Sequence, residues 1–149
     1  EVVLHPQSLI HSMVEFVDGT IKAEISQPDM RMPIQYSLLY PSRKFNAQVS
    51  RVDLIDIGKL SFEKLDLSRY PCFVLGLEYG KKGETWPAVL SGADEKAVEL
   101  FLCGKLKYTE IATAIRDATK MHIPVPNPDV YQSLEASNWA KKQVGNLVK

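Results

Sequence analysis

The sequence predicts an α+β chain: a strand and a β-hairpin first, then an irregular stretch, then a small bundle of helices. Three observations carry that expectation. Asp18-Gly19 stands between two runs that alternate apolar and polar residues, the strongest short-range sign of a hairpin. From Pro71 onward the apolar residues recur at helical spacing. Between these parts, residues 41–70 are rich in charged and small polar residues, with short apolar pieces only. The expected division is therefore 1–40, a connecting segment at 41–70, and a helical bundle at 71–149.

The chain opens on Val2-Val3-Leu4, a short apolar run of the kind found in buried strands. Such a strand needs neighbours on both sides, and the expectation is that sequence preceding this chain supplies them. In the hairpin, a two-residue turn at Asp18-Gly19 pairs Val17 with Thr20, Phe16 with Ile21, Glu15 with Lys22, Val14 with Ala23 and Ser12 with Ile25. Phe16, Ile21, Val14, Ala23 and Ile25 then share an apolar face, and Glu15 and Lys22 form a cross-strand ion pair on the other. A lone hairpin is marginal in water, so this one is expected to belong to a larger sheet.

Pro33 suits the first turn of a helix that runs through Ile34, Leu38 and Leu39 and stops at Pro41. Residues 71–79 are apolar nearly all round and end at Gly80, a natural C-cap. Ser91, with Asp94 three residues on, resembles a capping box for a helix that carries Ala93, Ala97, Val98, Phe101 and Leu102 on one face and ends at Gly104. Thr109 caps a further helix with Ile111, Ala112, Ile115 and Ala118 inward. Pro124, Pro126 and Pro128 forbid helix between them. Asp129 starts a last helix with Ala136, Ala140, Val144 and Leu147 at helical spacing.

Composition bounds the function. The chain has 149 residues, of which 45% are hydrophobic and 24% charged, ordinary values for a globular protein. The 18 Lys and Arg balance the 18 Asp and Glu, so there is no basic footprint for nucleic acid and no acidic tail. No apolar run is long enough to cross a bilayer, and no signal-peptide pattern opens the chain. Cys72 and Cys103 lie in apolar helical patterns and are expected to be buried free thiols, which fits a reducing compartment.

The residue chemistry is sparse. Pro6 keeps His5 out of helical conformation, so His5 sits at a strand end or in the loop after it, where α/β proteins hold ligands. An imidazole there can bond a phosphate or sugar hydroxyl or move a proton near neutral pH, and it can equally be satisfied by backbone. His11 on the hairpin and His122 beside the prolines read as structural or solvated. No Ser-His-Asp arrangement, no metal-type Cys or His spacing and no Gly-rich phosphate loop is present. Trp86 and Trp139 read as core or contact residues.

The order of motifs says more than the chemistry. Glu1-Val2-Val3-Leu4-His5-Pro6-Gln7-Ser8-Leu9-Ile10-His11-Ser12-Met13-Val14-Glu15-Phe16-Val17-Asp18-Gly19-Thr20 is followed by Gln27-Pro28-Asp29-Met30-Arg31-Met32-Pro33-Ile34. Then come Tyr40-Pro41, Asp53-Leu54, Gly58-Lys59-Leu60-Ser61-Phe62, Arg69-Tyr70-Pro71-Cys72 and Ala97-Val98-Glu99-Leu100-Phe101-Leu102. This ordered set resembles the C-terminal part of the 1-deoxy-D-xylulose 5-phosphate reductoisomerases. One departure stands at Leu90-Ser91-Gly92-Ala93-Asp94-Glu95, where that family commonly has Leu-Asn-Ala-Ala-Asn-Glu.

The resemblance implies an oxidoreductase and isomerase of isoprenoid precursor synthesis. Its substrate is a small sugar phosphate, 1-deoxy-D-xylulose 5-phosphate, which is rearranged and reduced with NADPH to 2-C-methyl-D-erythritol 4-phosphate. The same resemblance implies Mg²⁺ or Mn²⁺, a homodimer, no nucleic-acid or membrane partner, and a bacterial cytoplasm or plastid-type organelle. Residues 1–40 would be the end of the catalytic domain, 41–70 the connection and 71–149 the C-terminal helical domain. His5 matches the histidine of the family's His-Pro-Gln-Ser motif near the substrate. Pro28 and Met30 match the Pro-Asp-Met-Arg segment against the nicotinamide. No residue of this chain is expected to ligate the metal; those ligands, most phosphate ligands and the dinucleotide loop belong upstream, and 1–149 alone would be inactive. The competing reading is a non-catalytic helical interaction module with a dimerising hairpin, and upstream sequence discriminates the two.

Overall fold

In the computed structural model, which describes residues 1–148, strands β2 (Ile10–Glu15) and β3 (Ile21–Ile25) form the antiparallel hairpin. Its register differs from the sequence reading. Phe16 N–H bonds to the Thr20 carbonyl and Gly19 N–H to the Phe16 carbonyl, both at 2.9 Å, which makes a three-residue loop of Val17, Asp18 and Gly19. Gly19 takes the left-handed φ of 82° that this loop needs, and the Asp18 carboxylate accepts the Thr20 N–H at 2.9 Å. One added loop residue shifts every pair by one. Glu15 therefore stands opposite Ile21 and Val14 opposite Lys22, and the expected Glu15–Lys22 ion pair is replaced by the Lys22 ammonium lying 5.3 Å over the Phe16 ring. A second irregularity lies lower down. Ile10 pairs with Ile25 while Ser12 pairs with Glu24, so His11 is an extra residue, a β-bulge.

The chain divides into two compact units, Glu1–Leu65 and a second that begins at Asp66. In the first, the Asp29 carboxylate accepts the Arg31 N–H at 2.9 Å, and helix α1 spans Arg31–Leu39 before a cis Tyr40–Pro41 bond. Helix α2 (Leu54–Ile57) is capped by the Asp53 carboxylate, which accepts from Ile55 N at 2.8 Å. Strand β1 (Val3–Leu4) pairs antiparallel with β4 (Glu63–Lys64), Val3 with Lys64 and Leu4 with Glu63. So the stretch read as irregular carries a strand, and the opening strand finds a neighbour within the chain. Both strands are two residues long, too short to show any period.

Among the described residues the second unit has four α-helices: α3 (Pro71–Lys82), α4 (Trp86–Leu102), α5 (Ile111–Thr119) and α6 (Val130–Leu147). Helix α3 runs past Gly80 and ends at Gly83, whose φ is 65°. Lys81 and Lys82 in its last turn complement the helix dipole, so the later glycine is the cap. Helix α4 starts at Trp86-Pro87, not Ser91, because proline in the first turn costs no hydrogen bond. Thr109 falls in a 3₁₀ turn, Tyr108–Glu110, that leads into α5. Asp129 caps α6 as read, accepting from Gln132 N at 2.7 Å. The core is Leu75, Val89, Ala93, Ala97, Ile111, Ile115, Ala136, Ala140 and Val144, small residues at the helix contacts and branched ones between. Leu147 is exposed. Cys72 and Cys103 are free, as read, but lie at the surface.

Two polar clusters tie elements of this unit together, one joining α3 to α5 and the other the start of α4 to the proline stretch. The Tyr79 hydroxyl donates to Thr119 Oγ1 at 2.5 Å, and Thr119 donates to the Ile115 carbonyl at 2.8 Å. Thr85 is fully buried; its Oγ1 accepts the Val125 N–H at 3.0 Å and bonds His122 Nε2 at 2.8 Å. The buried hydroxyl proton has His122 Nε2 as its acceptor, which needs a neutral imidazole. Trp86 and Trp139 close on the ring at centroid distances of 4.9 and 5.3 Å. Burial holds His122 below the ordinary imidazole value of 6.5. The unfolded chain then binds the proton first, so the stability this site contributes is present above about 6.5 and is lost as the pH falls through the lower folded-state value. Thermal melts across that window are expected to show this acid slope in the wild type and a shallower one in His122→Phe; equal slopes would contradict the account.

Candidate functional site

The His-Pro-Gln-Ser loop follows β1. The Ser8 N–H bonds the His5 carbonyl at 3.0 Å, closing a turn, and Ser8 holds a positive φ of 51°. His5 Nδ1 donates to the Ser61 carbonyl at 2.9 Å, and its ring stacks on Phe62 with centroids 5.0 Å apart. A carbonyl only accepts, so the proton of the neutral ring is on Nδ1. His5 Nε2 is covered by the chain and has no partner.

Pro28 and Met30 lie together on the wall of an open cleft of about 310 Å³, with Glu24, Ser26, Asp29 and Pro33. Met30 is 70% exposed, so its thioether is free to meet a ligand. Asp29 and Arg31 form a bidentate pair, with Nε–Oδ1 at 2.9 Å and Nη2–Oδ2 at 2.5 Å. The Arg31 side chain, with its own N–H next, holds the Asp29 carboxyl below the usual range, so it stays ionised at the cleft edge. His11, which the sequence left as structural or solvated, lines the same cleft. The bulge turns this side chain toward the 26–30 segment: His11 Nε2 donates to the Ser26 carbonyl at 3.1 Å. Its Nδ1 is thereby left as an acceptor. No period in the sequence marks His11, because the extra residue shows only once both strands are in register. His5 is not part of the cleft wall, so the structure brings Pro28 and Met30 together but leaves His5 on the separate Ser61–Phe62 contact.

The cleft suits a flat, partly apolar group: a proline ring and a thioether on the wall, imidazole and hydroxyl at the edge. Among the described residues no group of three or more His, Cys, Asp or Glu side chains lies together to hold a metal ion.

The profile of the DXP reductoisomerase C-terminal domain matches residues 25–143. The 1-deoxy-D-xylulose 5-phosphate reductoisomerase of Acetivibrio thermocellus is 46% identical over all 149 residues, which cover 39% of that protein. That of Moorella thermoacetica is 43% identical, again over the full chain and 38% of the relative. The solved Zymomonas mobilis reductoisomerase in complex with NADPH superposes with a TM-score of 0.91 at 35% identity, covering 99% of this chain and 39% of that one. A reductoisomerase structure with NADPH, fosmidomycin and magnesium matches at a TM-score of 0.82 and 30% identity, over 97% of this chain and 38% of that one. The chain belongs to the DXP reductoisomerase family and carries its C-terminal domain. It spans about two fifths of the length of these curated relatives.

Proposed function

We propose that this chain is the C-terminal portion of an NADPH-dependent enzyme that converts 1-deoxy-D-xylulose 5-phosphate to 2-C-methyl-D-erythritol 4-phosphate. The observation that supports this most is identity at 46% along the whole chain to a reductoisomerase, with the His-Pro-Gln-Ser and Pro-Asp-Met-Arg motifs in place. In this reading residues 1–40 end the catalytic domain, 41–70 connect, and 71–149 form the helical domain. The compartment is a bacterial cytoplasm or a plastid-type organelle. Among the described residues no helix is long and apolar enough to cross a membrane.

NADPH supplies the hydride when bound. Pro28 and the exposed Met30 fit one face of its nicotinamide, because hydride transfer wants an apolar wall that keeps water out. His11, fixed through Nε2 on Ser26, offers Nδ1 to a ligand hydroxyl at the cleft edge. His5 serves the substrate from the neighbouring loop. Mg²⁺ or Mn²⁺ would be held by residues outside this chain, where it would supply Lewis-acid stabilisation of charge on the substrate oxygens. The test is product analysis with the full-length protein: one 2-C-methyl-D-erythritol 4-phosphate formed per NADPH oxidised supports the reading, and substrate left unconverted overturns it.

We propose a homodimer as well. On one face of the hairpin Val14 (57%) and Phe16 (44%) are largely exposed within this chain, and on the other face Met13 (43%) and Ile21 (58%). Apolar faces and open strand edges of this kind are normally covered. Light scattering on the full-length protein is expected to give a dimer mass, with slow hydrogen exchange of the hairpin amides. A monomer whose hairpin amides exchange freely would contradict it.

A further inference from the structure

Two side chains of the His-Pro-Gln-Ser loop grip a single residue far along the chain. His5 Nδ1 donates to the Ser61 carbonyl at 2.9 Å. Gln7 Oε1 accepts the Ser61 N–H at 3.2 Å, and Gln7 Nε2 donates to Ser61 Oγ at 2.8 Å. Both peptide groups of Ser61 are thus taken by the loop, just beyond the Leu4–Glu63 pairing of β1 and β4. Phe62 lies against the imidazole, with an interplanar angle of 23°. The contacts settle both the plane of the ring and the nitrogen that carries its proton. What remains is His5 Nε2, a lone pair that is covered and unpartnered. A buried acceptor left in that state is costly, so a donor that reaches it gains the interaction.

We infer that Gln7, Ser61 and Phe62 are positioning residues that hold His5 as the Nδ1–H tautomer, so that Nε2 accepts a hydrogen bond from a hydroxyl of the sugar-phosphate ligand. This rests on the function proposed above and specifies the ligand group. A fully ionised phosphate offers the neutral ring no donor, because its oxygens and the Nε2 lone pair are both acceptors. The substrate's hydroxyls are donors. The chain covers Nε2, so the ligand hydroxyl reaches it by displacing the covering atoms while the contacts of His5 and Gln7 with Ser61 stay in place.

The experiment uses full-length protein with ¹⁵N-labelled histidine. Long-range ¹H–¹⁵N correlation reads the tautomer directly. The wild type is expected to show His5 protonated at Nδ1 alone, with an Nε2 resonance that moves when 1-deoxy-D-xylulose 5-phosphate and Mg²⁺ are added without NADPH. Gln7→Ala, at an unchanged melting temperature, is expected to mix the tautomers and lower kcat/KM on the order of tenfold, the scale for groups that act by orienting another. Gln7→Glu keeps an acceptor for the Ser61 N–H and is expected to restore the single tautomer. A wild-type ring protonated at Nε2, or an Nε2 resonance unmoved by saturating substrate, overturns the inference. A full-length wild type with the stated tautomer but no turnover would overturn the proposed activity instead.

Discussion

Gly92→Ala destabilises the helical unit by about 2 kcal/mol, although alanine is the better helix former by about 1 kcal/mol. Gly92 is buried in α4 where that helix meets α6. A Cβ at this position would stand 2.2 Å from the Ser137 carbonyl oxygen, 2.7 Å from its Oγ and 2.8 Å from its carbonyl carbon. Two of those three atoms are backbone, so a rotamer change does not relieve them and α6 itself must shift. Overpacking of this kind costs about 1–3 kcal/mol, and so short a backbone contact belongs at the upper end, which outweighs the gain in propensity. For a unit of this size the melting temperature falls by roughly 8–16 °C. Ser137→Gly gives no rescue, because the carbonyl oxygen stays. Circular dichroism melts check this; a melting temperature equal to or above the wild type would contradict it. The departure from Leu-Asn-Ala-Ala-Asn-Glu noted in the sequence thus has a physical counterpart, a helix crossing close enough to require glycine.

In the full-length protein, His5→Ala and His11→Ala each lower kcat/KM by about ten- to a hundredfold, while His122→Ala leaves it unchanged and lowers the melting temperature. Deleting the acceptor leaves a buried ligand hydroxyl without a partner, which costs about 1–3 kcal/mol and sets that range. His5 is the loop histidine whose Nε2 awaits a donor, and His11 lines the cleft with Pro28 and Met30. His122 belongs to the other unit, between Thr85 and two tryptophans, and its role there is packing. His5→Ala and His11→Ala are compared with the wild type at matched thermal melts, and His122→Ala is assayed well below its lowered melting temperature. Equal small effects at all three positions would make His5 and His11 structural.

Much of the helical unit was legible because its periods are long. Ile111, Ala112, Ile115 and Ala118 repeat at helical spacing and are buried, and Asp129 with Gln132 caps α6. Helix ends were less so. Gly80 and Ser91 carry the right local chemistry for a stop and a start, but neighbouring residues carry it more strongly: Gly83 after two lysines, and Pro87 after Trp86. In the first unit the hairpin was clear and its register was not, since Asp18-Gly19 fits a two-residue loop as well as the last two positions of a three-residue one. The consequences reach the candidate site. Pro28 and Met30 stood out through their motif, whereas His11 depends on a bulge that no single-strand pattern displays. The Ser61 grip joins residues 56 and 54 positions apart, beyond the reach of local spacing.

The most direct test of the central claim follows NADPH oxidation with 1-deoxy-D-xylulose 5-phosphate and Mg²⁺, comparing the full-length protein with residues 1–149 alone. Turnover is expected from the full-length protein and none from 1–149, because among the described residues no cluster of metal-ligating side chains is present and the sequence has no Gly-rich dinucleotide loop. Turnover by the isolated chain, or a full-length protein that folds and binds NADPH yet leaves this substrate untouched, would contradict it.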